Sequence, residues 1–97
     1  MGIEKLESQS GILRILLYLH DKGEGVSITD FVQKAKINQS ALYSALPKLL
    51  EMGMIEEKMS KSFPFKRTFK LTENGEKVAK HLLEIDETLT RCLRNRH

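Results

Sequence analysis

Gln39, Ser40, Tyr43, Ser44 and Lys48 fall in one short stretch, at the positions that a helical repeat turns away from Leu42, Leu46 and Leu49. Their chemistry suits a nucleic-acid surface. The Gln39 amide can pair with adenine, and the Ser40 and Ser44 hydroxyls can bond bases or phosphates. The Tyr43 hydroxyl can reach a phosphate oxygen, and the Lys48 ammonium can neutralise a phosphate. The plainer reading is a solvated polar helix face. A second set is cationic: Lys58, Lys61, Lys66, Arg67 and Lys70 follow one another with no acid among them. Each phosphate met by such a run would release counterions, whereas the plainer reading is a strand edge that carries Lys against aggregation. Within the run, Phe63-Pro64-Phe65 can fold back, insert at a groove or mark a protein contact.

Other chemistries find little support. His20, His81 and His97 are scattered without metal-ligand spacing, and Cys92, the single cysteine, cannot form an internal disulfide or a multi-cysteine zinc site. No metal or cofactor is expected. The pairs His81/Glu84 and His20/Asp21 have no nucleophile, metal cluster or glycine-rich phosphate loop beside them, so they read as surface residues and the chain as no enzyme. Arg91 and Arg94 could favour a Cys92 thiolate, although a buried structural thiol is the plainer reading.

The chain has 97 residues, 40% hydrophobic and 30% charged, the make-up of one soluble globular domain over 1–97 without room for a separate catalytic or ligand-sensing domain. Its net charge of +3 is a weak pull toward acidic partners. The longest apolar stretch, Ile12 to Leu19, is broken by Arg14 and falls short of the roughly 20 residues that a membrane span needs. Met1-Gly2 lacks the Ser or Thr that myristoylation wants where Leu6 stands. With its single cysteine, the chain fits a reducing compartment such as the cytoplasm.

Six elements must position these residues. Ser8 or Ser10 can cap a first helix with Ile12, Leu13, Ile15, Leu16 and Leu19 facing inward, ended at Asp21-Lys22-Gly23. Gly25-Val26-Ser27 reads as a very short strand. Ser27 with Asp30 resembles a capping box that opens a second helix running to about Ala35. Asn38 caps a third helix, with Ile37 able to staple onto Leu42, and Gly53 stops it. Pro47 lies inside this helix, lacks the amide that would bond the Tyr43 carbonyl, and is expected to kink it. A hairpin follows, Met54–Met59 with Phe65–Leu71, turning around Ser60 to Pro64. Thr72 caps a last helix on which Val78, Leu82, Ile85, Leu89 and Cys92 recur at alternating spacings of four and three, a heptad seam.

Two helices joined by a tight turn and followed by a hairpin form the layout of a winged helix. The stretch Ile37-Asn38-Gln39-Ser40-Ala41-Leu42-Tyr43 through Leu46 and Leu49 resembles winged-helix transcriptional regulators of the MarR and PadR kind. So do Gly53-Met54-Ile55 and Phe69-Lys70-Leu71-Thr72-Glu73-Asn74-Gly75. The resemblance implies an α+β, mainly α fold: a helix-turn-helix core over 8–72 with a wing at about 54–71, and a terminal helix over 73–94. It also implies that the third helix enters the major groove of double-stranded DNA, that the wing touches the backbone or minor groove, and that the terminal helices form a homodimer. Gln39, Ser40, Tyr43, Ser44, Lys48, Lys61, Lys66 and Arg67 are then the DNA-binding candidates, and no residue identifies an effector pocket. The sequence departs from the family at Lys36, where a Gly is usual in the turn, and at Pro47; PadR-like proteins often carry a proline at the position of Ser44.

The last helix begins acidic with Glu73, Glu76, Glu84, Asp86 and Glu87 and ends basic at Arg91, Arg94 and Arg96. That polarity suits the helix dipole and favours antiparallel pairing between copies. In an antiparallel pair crossing near Ile85 the two Cys92 residues would lie about 20 Å apart, too far for a disulfide, whereas a parallel pair could cross-link. The plainer reading packs the seam on the chain's own first helix. A winged helix used as a protein-interaction module, gripping a partner through Phe63 to Phe65 and the terminal helix, is the second functional reading.

Overall fold

The computed structural model describes residues 4, 11–23, 25–63 and 66–94. From residue 11 on, the described elements follow in the order α1 (Ile12–Lys22), β1 (Val26–Ser27), α2 (Ile28–Gln33), α3 (Gln39–Glu51), β2 (Ile55–Met59), β3 (Arg67–Leu71) and α4 (Glu73–Arg94). The strands form one antiparallel sheet in the order β1-β3-β2. This is a winged helix, mostly helical, with a small three-stranded sheet and a long C-terminal helix.

On α1, Ile12, Ile15, Leu16 and Leu19 are buried at the spacing of one helix face. Leu13, expected to face inward, is instead 41% exposed, because it lies a full 100° round the helix from Ile12. The cap also differs from expectation. Gly11 stands at the N-cap with φ 90° and no side-chain bond, while Ser8 and Ser10 lie outside the described residues. Gly23 closes the helix, its amide donating to the Leu19 carbonyl.

Ser27 and Asp30 form the expected capping box. The Ser27 amide donates to Asp30 Oδ2 at 3.1 Å, and the Asp30 amide donates to Ser27 Oγ at 3.3 Å. α2 then ends at Gln33, short of Ala35. The bond from the Ser27 amide is the main cause that holds the Asp30 carboxyl below its ordinary value. The Ser27 side chain and the Lys34 ammonium, 3.4 Å away, act in the same direction, against the opposing effect of burial. A carboxyl with a depressed folded pKa stabilises the fold above its unfolded pKa of about 3.9, and that contribution is lost as pH falls through the lower folded value. Urea unfolding of wild type and Asp30→Asn over the acid range is therefore expected to give a flatter pH dependence for the variant below about pH 4.

Asn38 caps α3 as expected, its Oδ1 accepting from the amides of Ser40 at 2.8 Å and Ala41 at 3.3 Å. Leu42, Ala45, Leu46 and Leu49 are buried, and the helix continues through Pro47 to Glu51. Gly53, at φ 72°, takes the chain into the left-handed turn toward β2. The hairpin pairs from Ile55 with Leu71 to Met59 with Arg67, so both strands start later than the expected Met54 and Phe65; Phe65 lies outside the described residues. β1 finds its partner on the far side of β3, with Val26 opposite Phe69 and Ser27 opposite Thr68. Phe31 stacks obliquely between Tyr18 and Phe69, with ring centroids 5.8 and 6.1 Å apart, and so ties α1, α2 and β3 into one core.

Thr72 caps α4. Its Oγ1 accepts from the Gly75 amide at 3.1 Å and donates to the Gly53 carbonyl at 2.5 Å, while its own amide donates to the Met54 carbonyl at 3.0 Å. The start of α4 is thus knitted to the turn that ends α3. Among the described residues no helix is long and apolar enough to cross a membrane.

Candidate nucleic-acid interface

The four buried residues of α3 fix its orientation on the core, and Gln39, Ser40, Tyr43 and Ser44 are left on its exposed side. Lys48, one turn further on, is half-buried. Pro47 and Glu51 are exposed at the C-terminal end of the same helix, so the polar reach of the face is concentrated in its first two turns. The positive end of the α3 dipole lies at these turns, where Asn38 Oδ1 takes the Ser40 and Ala41 amides.

The turn before α3 carries Lys36 at φ 58°, the left-handed geometry expected where the family has Gly. Arg14 spans this turn from α1. Its Nη2 donates to the Ala35 carbonyl at 2.5 Å and to the Lys36 carbonyl at 3.3 Å. In the sequence Arg14 was visible only as the break in an apolar stretch; its position on the outer side of α1 is the one signal that it serves something other than the core.

The wing is less one-sided in charge than its sequence suggests. Arg67 is held by Glu57 and lies 5.5 Å from the centroid of the Phe69 ring, and Lys70 pairs with Glu56 at 3.5 Å. Both acids precede the basic run in sequence, but the register sets Glu56 opposite Lys70 and Glu57 diagonal to Arg67. Lys58, Lys61 and Lys66 are exposed and have no ion pair among the described residues, so they carry the wing's uncompensated positive charge. At the tip the Ser60 hydroxyl bonds the Ser62 carbonyl at 2.9 Å and accepts from the Lys66 amide at 3.2 Å, and Phe63 is 87% exposed. Pro64 and Phe65 lie outside the described residues.

The heptad seam of α4 divides in two. Val78 and Leu82 are half-buried and pack on the chain's own core, as does the fully buried Ala79 between them. Beyond them Ile85, Leu89 and Leu93 are 52%, 57% and 67% exposed, and Cys92 is a free, exposed thiol. The plainer reading of the seam therefore holds for its first turns and not for its last three. His20, read from sequence as a surface residue, is part-buried and bridges α1 to α4 through Nδ1 and Glu76 Oε2 at 3.1 Å. No group of three His, Cys, Asp or Glu that could hold a metal occurs among the described residues.

Solved structures share this fold. Lactococcus lactis ZitR, as the C30AH42A mutant, superposes with a TM-score of 0.72 at 26% identity, covering 89% of this chain and 58% of ZitR. The chain thus spans less than two-thirds of ZitR's length. Bordetella bronchiseptica BpsR, whose DNA binding is regulated by 6-hydroxynicotinic acid, superposes at 0.77 with 18% identity over 91% of this chain and 66% of its own. A transcriptional regulator homologue from Pyrococcus horikoshii superposes at 0.67 with 18% identity over 93% and 97%. At these identities the last two show the fold alone. No curated protein sequence gives a significant match. The family model for the ArnR1-like winged-helix domain matches residues 4–89, which takes in the helix-turn-helix, the wing and most of α4. The chain belongs to the ArnR1-like winged-helix family.

Proposed function

We propose that the chain is a homodimeric transcriptional regulator that binds double-stranded DNA sequence-specifically, with α3 in the major groove and the wing on the backbone or minor groove. The observation that carries this reading is α3 itself. One face is locked into the core by Leu42, Ala45, Leu46 and Leu49, and the other presents Gln39, Ser40, Tyr43 and Ser44 to solvent at the capped end of the helix. Lys58, Lys61 and Lys66 supply the sequence-independent attraction. The exposed Ile85, Leu89 and Leu93 supply the surface for a second copy, which would set two α3 helices in successive grooves of a pseudo-palindromic site.

Fluorescence anisotropy with random-sequence duplex at low and near-physiological salt tests this, with mass in solution taken by light scattering. A dimer that binds with a steep salt slope is expected. No binding even at low salt would shift the assignment to a protein-interaction module, which the exposed Phe63 and the acid-paired Arg67 and Lys70 would then serve. Three substitutions separate the roles. Lys66→Ala is expected to weaken binding to all sequences and lower the salt slope by about one. Arg67→Ala should do the same to a smaller extent, since Glu57 already holds that guanidinium. Gln39→Ala should alter the preference between sequences by about 1–3 kcal/mol at one base position and leave the salt slope unchanged.

A further inference from the structure

Lys36 sits at φ 58° in the turn that aims α3, a conformation L side chains rarely adopt and that glycine adopts freely. Neither carbonyl that frames this residue is left to solvent alone: the Arg14 guanidinium, reaching from a helix more than twenty residues earlier, takes both Ala35 and Lys36. Both bonds come from one nitrogen, Nη2, whose two hydrogens can serve the two adjacent carbonyls. The other bonds of the turn belong to the end of α2: the Lys34 and Ala35 amides donate to the Asp30 carbonyl and the Ile37 amide to that of Phe31. They satisfy the amides before and after Lys36 and leave the two carbonyls to Arg14. The same end of α1 lies against the start of α3, since a methyl group on Gly11 would meet Ile37 Cγ2 at 3.6 Å and Ala41 Cβ at 3.9 Å.

From this geometry we infer that Arg14 is a positioning residue for DNA recognition: it clamps the left-handed turn at Lys36 and thereby sets the aim of α3, without itself touching DNA. This rests on the DNA-binding reading above. In the clamp's absence Lys36 leaves the left-handed region, the turn relaxes, and Gln39, Ser40 and Tyr43 lose their common register on the groove. Sequence-specific binding should then fall while attraction to any phosphate backbone persists, because Lys58, Lys61 and Lys66 are untouched. A glycine at position 36 makes the clamp dispensable, since the turn is then unstrained without it.

The test is a two-by-two set: wild type, Arg14→Ala, Lys36→Gly and the double variant. Each is titrated by anisotropy against a duplex selected from a random library on wild type and against a scrambled duplex, at two salt concentrations. Arg14→Ala is expected to lose tenfold or more on the selected duplex, to bind the scrambled duplex within about twofold of wild type, and to keep the salt slope. Adding Lys36→Gly should restore selected-duplex binding to within about threefold, and Lys36→Gly alone should bind as wild type does. Equal binding by Arg14→Ala and wild type, or no restoration in the double variant, would overturn the inference. A drop in salt slope with Arg14→Ala would do so too, because it would make Arg14 a phosphate contact. Hydrogen exchange at the Ile37 to Leu42 amides supplies the readout without DNA. Faster exchange in Arg14→Ala, reversed by Lys36→Gly, keeps the clamp even if wild type binds no duplex and the DNA-binding reading fails, whereas unchanged exchange removes it.

Discussion

Gly75→Ala is expected to destabilise the protein by about 3 kcal/mol, the upper end of what overpacking a well-filled interior costs, with a fall in Tm of about 12–24 °C. Gly75 is buried in the first turn of α4, and a methyl group there would overlap the carbonyl oxygen of Met54, 2.9 Å from its carbon and 3.1 Å from Leu71 Cδ2. The obstacle is backbone, which cannot rotate aside as a side chain can. That same Met54 carbonyl accepts the Thr72 amide, and Thr72 in turn bonds Gly53 and caps Gly75, so relieving the overlap means breaking the seam between α4 and the end of α3. Gly53→Ala is the control. Gly53 has open space around it and only its left-handed backbone to object, so a loss of about 1 kcal/mol is expected. Urea unfolding of both variants checks the contrast, and equal losses would show that crowding at Met54 is not what Gly75 relieves.

The second large effect lies at the opposite end of α4. Replacing Ile85 and Leu89 together with glutamine is expected to convert the proposed dimer to a monomer and to weaken binding to a two-half-site duplex about 100-fold or more, the loss typical when two linked contacts become independent. Both side chains are more than half exposed within one chain, so the far-ultraviolet circular dichroism of the variant should match that of wild type. Binding to a single half-site should change little. Leu82→Gln provides the contrast, since Leu82 packs on the chain's own core and its replacement should lower stability. Light scattering and anisotropy on one-site and two-site duplexes separate these outcomes, and a double variant that remains dimeric would refute the pairing surface.

The features most legible in the sequence are those closed within a few residues. The Ser27–Asp30 box, the Asn38 cap and the Thr72 cap all rest on bonds spanning three residues or fewer, and each stands where its residue types indicate. The polar face of α3 was legible for a similar reason, since Leu42, Leu46 and Leu49 define its opposite. What depends on a distant neighbour was not. Nothing near Val26 points to Phe69 as its ladder partner, and nothing near Arg14 points to a carbonyl at Ala35. Lys70 and Arg67 look unopposed until the register brings Glu56 and Glu57 beside them. The apolar stripe of α4 reads as continuous because period alone cannot show where the chain's own core stops covering it, between Leu82 and Ile85.

Ser27 holds two places at once: it is the residue of β1 that faces Thr68 on the wing strand, and it is the cap on which α2 begins. A slip of one residue in the β1–β3 register would flip Val26 out of the core and pull the cap off the helix in the same movement. Strand pairing at the wing and the cap of α2 therefore depend on the same residue. A force applied at the wing would be felt at the start of α2, and through α2 at the turn that precedes α3. Two surfaces that look separately mounted are joined through a single serine.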